Sequence, residues 1–297
     1  MLITVFTPTY NRAALLGRVY ESLRAQQFTD FEWVIVDDGS TDNTGDVVYT
    51  FQEKSEFSIR YFKQTNGGKH RAINLGLREA NGELFFIVDS DDCVATNGLP
   101  VIADVYRTVK DDSAFGGVSG CMASHAGEEI TPKFPQRDHE GCYNIIDCNA
   151  LDVRYKYMVK GDLAEVFRTE VLREFMFPEI EGERFCPEAL VWNRIAQKYK
   201  LRYFDSVIYH RDYLPDGLTH RIVRIRMDSP VASCTHYSEL NGYKIPFVQK
   251  LKAAINYWRF WYCLKDKAQA PRLAKQWHCV KLLGWMMHKR DVNQQRD

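Results

Sequence analysis

Short apolar segments of strand length alternate with segments of helical periodicity in the first third of the chain. The strand-like segments are residues 2–7, 31–36, 58–62 and 84–88. Helical spacing is clear between the first two, where Leu16, Val19 and Leu23 recur on one face. Because parallel strands need a crossover connection, this alternation predicts an α/β fold with a mostly parallel central sheet flanked by helices.

Three of the predicted strands end in polar clusters. The clusters are Thr7-Pro8-Thr9-Tyr10, Asp37-Asp38 and Asp89-Ser90-Asp91-Asp92. Ligands of parallel α/β sheets bind in the crevice outside the carboxyl ends of the strands. We therefore expect the three clusters to converge on a single crevice and to contact the same ligand.

The last cluster places three carboxylates within four positions, directly after an apolar strand. Carboxylates this close repel one another, and burial adds a cost to each charge. One interpretation is an acidic turn with capping residues, since Asp is common in turns. The other is a site for Mg²⁺ or Mn²⁺, which prefer carboxylate and phosphate oxygens. Asp38 could accept a hydrogen bond from a nucleotide base, and Tyr10 could stack on the same base. Together with a cation that binds phosphate oxygens, these contacts favour a nucleoside-diphosphate ligand.

Four ordered segments follow a known pattern: TVFTPTYNR at 4–12, FEWVIVDDGSTD at 31–42, NLGLREANG at 74–82 and VDSDD at 88–92. Together they resemble the family 2 glycosyltransferases of the GT-A fold, a Rossmann-like fold that binds nucleotide-diphospho-sugars. The resemblance implies inverting transfer of a sugar from such a donor, by family habit a UDP-sugar, with Mg²⁺ or Mn²⁺ as cofactor. The implied acceptor is a hydroxyl of a glycan or lipid-linked oligosaccharide in cell-surface polysaccharide synthesis.

The resemblance also implies roles for individual residues. The residues that it assigns to nucleotide binding are Thr7, Pro8, Tyr10, Arg12, Asp37, Asp38, Lys69, Arg71, Asn74 and Asp89. Asp38 corresponds to the aspartate that reads the base. The DXD element corresponds to Asp89, Asp91 and Asp92, and we expect Asp91 to be the principal metal ligand and a catalytic residue. The basic run from Lys69 to Arg71 could stabilise the leaving diphosphate, and a solvated helical turn explains it equally well.

An inverting transfer needs a carboxylate that removes the proton of the acceptor hydroxyl. Members of the family often carry Glu-Asp at the start of a late helix, whereas this chain has Pro187 followed by Glu188. We predict that Glu188 is the general base, with Glu183 as the second candidate. The alternative for Glu188 is a structural role, in which its charge complements the positive end of the helix dipole.

A glycine-containing loop is predicted at residues 213–219. Ordering of this loop on donor binding would place Asp216 and Thr219 over the diphosphate or the acceptor. His210, which precedes the loop, fits a structural histidine better than a ligand-binding one.

The neutral net charge of the chain conceals a basic tail. Residues 241–297 contain 12 Lys and Arg against 3 Asp and Glu, a net charge of +9. We predict a catalytic domain at 1–220, with a nucleotide-binding half at 1–95 and an acceptor-side half at 96–220, and a helical extension at 221–297. The tail carries many aromatic residues in two predicted helices separated near Pro271. It could lie on an anionic membrane surface, or it could pack on the catalytic domain or on a second subunit of a homodimer.

Other classes of protein fit the sequence less well. A sugar-nucleotide pyrophosphorylase or a dehydrogenase needs glycines after the first strand, and Thr7-Pro-Thr-Tyr-Asn11 has none. A catalytically degenerate scaffold that binds nucleotide sugars remains an alternative, whereas no nucleic-acid recognition pattern accompanies the basic tail. The eight cysteines lack zinc or CxxC spacing, and no apolar run reaches the length of a membrane span. We therefore expect a cytoplasmic protein, with membrane contact only at the inner face.

Overall fold

The computed structural model describes residues 1–124, 126, 134, 143–211 and 218–294. The chain divides into two compact units. The first unit comprises residues 1–176 and 194–212, and the second comprises residues 177–193 and 213–297. The boundary predicted at residue 220 therefore falls inside the second unit. The segment 177–193, which the sequence placed in the acceptor-side half of one domain, also belongs to the second unit.

The N-terminal part of the first unit is a parallel α/β layer. Its strands are β1 Ile3–Thr9, β2 Phe31–Asp37, β3 Ser58–Lys63 and β4 Leu84–Ile87, and its helices are α1 Leu16–Arg24, α2 Thr44–Lys54 and α3 Lys69–Glu79. The strands are parallel and lie in the order β3-β2-β1-β4. Every residue of β1 and β2 is buried, as expected for central strands covered on both faces. The predicted α/β fold is confirmed.

The remaining strands of the first unit extend the same sheet with mixed pairing. These strands and the intervening helices are β5 Cys93–Val94, α4 Gly98–Arg107, β6 Phe115–Ala123, β7 Ile145–Cys148, α5 Ala150–Tyr155, β8 Leu163–Arg168, α6 Thr169–Glu174 and β9 Lys200–His210. The order continues β4-β8-β6-β9-β5, and β7 pairs with β9. Strand β8 lies antiparallel to both β4 and β6, and these neighbours satisfy its backbone groups.

The carboxylate of Glu32, on β2, joins this strand to the start of β1, to β3 and to the loop that precedes β4. Glu32 is buried, at 1% exposure. Its Oε1 accepts hydrogen bonds from Thr4 Oγ1 and from Asn81 N, both at 2.7 Å. Its Oε2 accepts hydrogen bonds from Asn81 Nδ2 at 3.1 Å and from Arg60 Nη1 at 3.3 Å. Burial alone would raise the pKa of Glu32, but these hydrogen bonds outweigh it and hold the pKa below its usual value.

We expect Glu32→Gln to lower the free energy of unfolding by about 2–4 kcal/mol, because the new amide group faces the donors that the carboxylate accepted. The urea midpoint at pH 7 measures this loss. The lowered pKa makes the stabilisation present at neutral pH and lost as the pH falls below about 4. Glu79→Gln is the matched control, because Glu79 also pairs with Arg60 but is 35% exposed, and we expect it to cost less than about 1 kcal/mol. Equal losses in the two variants would contradict the prediction.

The second unit is helical where it is described. Its helices are α7 Glu188–Ile195, of which residues 188–193 belong to this unit, α8 Leu218–Asp228, α9 Pro230–Gly242, α10 Phe247–Trp261 and α11 Lys281–Gln294, with 3₁₀ turns at Lys267–Gln269 and Lys275–Val280. The two predicted tail helices correspond to α10 and α11. Trp258, Phe260 and Trp277 are buried in the core of this unit. These aromatic residues of the tail therefore pack within their own unit.

Helix α11 carries apolar side chains that this core does not cover. Leu282, Leu283, Trp285 and Met286 are 41–64% exposed. Two lysines, Lys281 and Lys289, lie on the same helix. Among the described residues, no helix combines the length and the hydropathy needed to cross a bilayer.

Candidate functional site

The carboxyl ends of β1, β2 and β4 lie side by side in the first unit. Thr9 is aligned with Asp37 across the β1–β2 pair, and Asp38 N donates a 2.8 Å hydrogen bond to Thr9 O. On the other side of β1, β4 continues to Val88, whose N donates a 2.8 Å hydrogen bond to Phe6 O. The three polar clusters therefore meet at one edge of the sheet, as the sequence predicts.

Two residues that were predicted to bind the nucleotide have buried side chains that form hydrogen bonds within the chain. Thr7 is fully buried, and its Oγ1 accepts a 2.9 Å hydrogen bond from Trp33 Nε1. Asp37 is also fully buried, and its two oxygens accept hydrogen bonds from Ser40 N and from the Tyr61 hydroxyl, both at 2.6 Å. These contacts give both side chains a supporting role, in which they shape the ends of β1 and β2.

Asp38 holds the loop that leads into α3. Its Oδ1 accepts hydrogen bonds from Gln64 Nε2 at 2.7 Å and from Gly67 N at 2.8 Å. Its Oδ2 accepts hydrogen bonds from Asn66 Nδ2 at 3.2 Å and from Gly68 N at 2.7 Å. A carboxylate has about four lone-pair sites, so its own chain fills the acceptor capacity of Asp38. Gly68 has a φ of +97° and forms the N-cap of α3, so Asp38 also positions the start of that helix.

The loop after β1 presents an aromatic ring to solvent, because Tyr10 is 48% exposed. The next residue, Asn11, has a φ of +52° and is tied to the loop after β2. Its N donates to Ser40 Oγ and its Oδ1 accepts from Thr41 N, both at 2.8 Å. Thr9 Oγ1 is buried and has no hydrogen-bond partner among the described residues. Thr9 is a further candidate for ligand contact, and its position in the first polar cluster is the signal that points to it.

The other nucleotide candidates differ in exposure. Pro8 is buried within β1 and Asn74 is buried in α3, as is His70 of the basic run from Lys69 to Arg71. Arg12 and Arg71 are partly exposed. The two arginine side chains are therefore accessible to solvent, whereas the other three side chains are not.

The three aspartates after β4 have different environments. Lys69 Nζ lies 2.6 Å from Oδ1 and 2.9 Å from Oδ2 of Asp89. Asp92 N donates to Asp89 O at 3.1 Å, which closes the turn. The Tyr209 hydroxyl, on β9, accepts from Asp89 N at 3.0 Å and donates to Asp92 Oδ2 at 2.6 Å. Asp91 is partly exposed and makes no hydrogen bond or ion pair with any described residue.

The negative charges of this turn are incompletely compensated. Asp92 is 6% exposed. Burial, followed by repulsion from Asp89, raises the pKa of Asp92 to about 7, although the hydrogen bond from Tyr209 opposes the shift. A cation beside the turn would offset the repulsion that the carboxylates exert on one another.

The turn fits a divalent cation that is shared with a ligand. No group of three His, Cys, Asp or Glu side chains within the described ranges has the arrangement of a complete metal site. Mg²⁺ and Mn²⁺ commonly take one or two carboxylates and complete their coordination with substrate phosphates and water. Asp91, which has no partner in the described part of the chain, and Asp89, two positions before it, would supply hard oxygen ligands of this kind.

The two candidates for the general base lie in the second unit. The carboxylate of Glu183 accepts hydrogen bonds from Val231 N at 2.6 Å and from Ala232 N at 2.8 Å, at the start of α9. Burial raises the pKa of Glu183, and the two backbone hydrogen bonds only partly oppose this. Glu188 is partly exposed and is the first residue of α7. Glu183 therefore caps a helix, and Glu188 is the better candidate for a reacting group.

The remaining predictions concern the end of β9 and the residues that follow it. His210 Nδ1 lies 3.1 Å from Ser124 O, which agrees with a structural role. Asp216 lies outside the described residues. Thr219 was predicted to lie in a loop, but it falls in the first turn of α8.

Comparison with known proteins adds to this geometry. Residues 4–145 match the family model described as Glycosyl transferase family 2. Residues 4–145 are therefore a family 2 glycosyltransferase region. The match covers the parallel strands, the loop that Asp38 holds and the acidic turn, which are the parts that carry the sequence resemblance.

Two of the curated relatives of this chain have names that specify different acceptors. A GalNAc(5)-diNAcBac-PP-undecaprenol beta-1,3-glucosyltransferase from Campylobacter jejuni is 26% identical over 73% of this chain and 67% of its own length. The poly(ribitol-phosphate) beta-N-acetylglucosaminyltransferase TarS from Staphylococcus aureus is 34% identical over 39% of this chain and 19% of its own length. An uncharacterized glycosyltransferase from Nostoc is 41% identical over 36% of this chain. The first curated relatives are matched over only about a third of their length.

Some solved structures with the same fold contain a nucleotide or a nucleotide sugar. TarS residues 1–349 in complex with UDP has a TM-score of 0.58 at 19% identity, over 100% of this chain and 92% of that one. The mannosyltransferase PcManGT from Pyrobaculum calidifontis, in complex with GDP-Man and Mn²⁺, has a TM-score of 0.59 at 20% identity, over 98% of this chain and 86% of that one. These similarities confirm the GT-A fold of the chain.

Sequence reasoning did not find several residues that organise this family 2 site. Tyr209 fixes the acidic turn from a strand more than one hundred residues away. The side-chain amides of Gln64 and Asn66 donate hydrogen bonds to the carboxylate of Asp38. The only signal for the latter pair is their place just before the glycines that precede α3.

Proposed function

We propose that this chain is an inverting glycosyltransferase that takes its sugar from a nucleotide-diphosphate donor, a UDP-sugar. The acceptor is a hydroxyl of a glycan or lipid-linked oligosaccharide in cell-surface polysaccharide synthesis. The observation that carries the proposal is the meeting of an exposed Tyr10, the Asp38 loop and the acidic turn at one sheet edge. Relatives that glucosylate an undecaprenol-linked glycan or glycosylate poly(ribitol-phosphate) support the choice of acceptor class.

In this proposal the nucleotide base stacks on Tyr10 and is read by Asp38. The ring of Tyr10 is half exposed, so one face can receive a base. The four lone pairs of Asp38 already accept hydrogen bonds, so a base N–H must replace a donor. The side-chain amides of Gln64 and Asn66 can rotate away, whereas the backbone amides of Gly67 and Gly68 cannot. Donor binding therefore exchanges a side-chain hydrogen bond within the loop for one to the base.

The diphosphate lies at the acidic turn in this proposal. Asp91, assisted by Asp89, would hold Mg²⁺ or Mn²⁺ at this turn. The metal would supply positive charge to stabilise the negative charge that develops on the departing nucleoside diphosphate. Lys69, which contacts both oxygens of Asp89, adds a positive charge at the same turn. The acceptor hydroxyl transfers its proton to Glu188 as its oxygen attacks the anomeric carbon of the sugar.

Peripheral contact with a membrane through α11 is part of the proposal. Leu282, Leu283, Trp285 and Met286 are exposed on this helix, and Lys281 and Lys289 accompany them. Apolar side chains with flanking cations suit the surface of an anionic bilayer. The same surface could instead pair two copies of the chain in a homodimer.

A thermal-shift panel tests the proposed function. Purified protein is heated with UDP, GDP, UDP-glucose, UDP-GlcNAc and GDP-mannose, each with Mn²⁺ or with a chelator. A ligand at about one hundred times its Kd adds roughly 2.7 kcal/mol to the stability of the folded state, so we expect a melting temperature higher by several degrees. The increase should appear with one nucleotide class and depend on Mn²⁺. If no nucleotide raises the melting temperature in the presence of Mn²⁺, the proposal is wrong.

A further inference from the structure

The second unit contains an arginine-rich pocket that the proposed reaction does not use. The pocket has a volume of about 350 Å³. The polar residues that line it are Arg221 and Arg224 of α8, Arg259 of α10, and Arg290, Asp291 and Gln294 of α11. We call this site the arginine pocket. Its three helices all belong to the second unit, whereas the residues proposed to bind the donor belong to the first.

The single carboxylate of the arginine pocket is already engaged. Arg259 Nε lies 2.5 Å from Asp291 Oδ2, and Arg259 Nη2 lies 2.8 Å from Oδ1. Both partners are largely buried, at 10% and 3% exposure. Arg290 approaches the same carboxylate only to 3.9 Å. The charges of this bidentate pair cancel, so Asp291 does not neutralise Arg221 or Arg224.

Arg221 and Arg224 make no ion pair or hydrogen bond with any residue that the structure describes. They are exposed and lie three positions apart, so both side chains leave the same face of α8. Arg290 and Gln294 are likewise four positions apart on one face of α11. Two helix faces thus direct three cationic groups and one amide donor into the same concave space. Like charges in this arrangement repel one another unless an anion lies among them.

The chemistry of the lining residues selects the class of anion. Arginine offers planar forks of N–H donors that match phosphate oxygens two at a time. Three guanidinium groups suit a group with several anionic oxygens better than a single carboxylate. We propose that the arginine pocket binds a phosphate or diphosphate group. Such a group occurs in free phosphorylated compounds and in the headgroups of anionic lipids, and the two sources share this recognition chemistry.

Calorimetric titration of the full chain tests the first source. Inorganic pyrophosphate and inorganic phosphate are titrated in the presence of a chelator, which removes metal-dependent binding at the donor site. We expect pyrophosphate to bind the wild-type protein, and a double variant carrying Arg221→Gln and Arg224→Gln to bind it at least about tenfold more weakly. Arg272→Gln is the matched control, because Arg272 is an exposed arginine of the same unit outside the pocket, and it should leave binding unchanged.

Vesicle co-sedimentation tests the second source. Vesicles of phosphatidylcholine alone are compared with vesicles in which about a third of the lipid is phosphatidylglycerol. If the ligand is a lipid headgroup, the double variant loses binding to the anionic vesicles while Arg272→Gln retains it. A loss of binding that is confined to the double variant, in either assay, supports the arginine pocket. The assay in which the loss occurs identifies the source of the ligand. If neither assay separates the double variant from Arg272→Gln, or if the wild type binds neither probe, the proposal is overturned.

Folding of the variants is a minor concern in both assays. Arg221 and Arg224 are exposed, and the buried pair between Arg259 and Asp291 is left intact. Circular dichroism and melting temperature should therefore match those of the wild type. A loss of binding with an unchanged melting temperature reports on the ligand contacts and not on the stability of the second unit.

Discussion

Replacing Asp91 by asparagine should lower the rate of sugar transfer by about 100-fold or more. Asp91 is partly exposed and has no hydrogen bond or ion pair with the described residues, so the fold loses nothing when its charge is removed. In the proposed mechanism Asp91 is the principal carboxylate that would hold the cation. The loss should appear in initial rates at saturating donor, and calorimetry should show weaker binding of nucleoside diphosphate in Mn²⁺.

Two controls make the Asp91 result specific. Asp111→Asn removes an exposed carboxylate from the same unit, outside the acidic turn, and should retain full activity. The melting temperature of Asp91→Asn in a chelator should equal that of the wild type. If the variant transfers sugar at the wild-type rate with unchanged dependence on Mn²⁺, Asp91 is not the metal ligand.

Glu188→Gln should lower the rate of transfer by about 10²–10⁴-fold, the usual contribution of a positioned general base. Glutamine has nearly the same shape but cannot take the proton of the acceptor hydroxyl. The base acts on the acceptor alone, so affinity for the donor should stay at the wild-type value. Initial rates with donor and acceptor, together with the Kd for the donor, separate these two quantities.

Glu183→Gln is the matched control for Glu188, because both carboxylates lie in the same segment of the second unit. Glu183 accepts hydrogen bonds from two backbone amides at the start of α9, so its replacement should lower stability more than it lowers the rate of the chemical step. If Glu188→Gln folds, binds donor and transfers sugar at the wild-type rate, then Glu188 is not the base.

The first half of the fold could be predicted from the sequence because its signals are local. Buried parallel strands appear as continuous apolar runs, and the polar residues that end them mark the carboxyl edge of the sheet. The prediction was poorer after the acidic turn. Leu163 begins a strand because β4 and β6 pair with it on both sides, and neither neighbour is adjacent in sequence. The second unit combines residues 177–193 with residues after 212, and this combination depends on long-range packing.

The sequence by itself determined the parallel α/β order, the positions of the strand ends and the acidic character of the last one. Only the tertiary structure decided which carboxylates are already engaged. The carboxylate of Asp38 accepts hydrogen bonds from the loop before α3. Asp89 forms an ion pair with Lys69, and Asp92 accepts a hydrogen bond from Tyr209. Spacing along the chain records which residues can share an edge, because strand and helix geometry are local. It does not record hydrogen bonds between residues 20 to 120 positions apart, which form only when the sheet brings distant segments into contact.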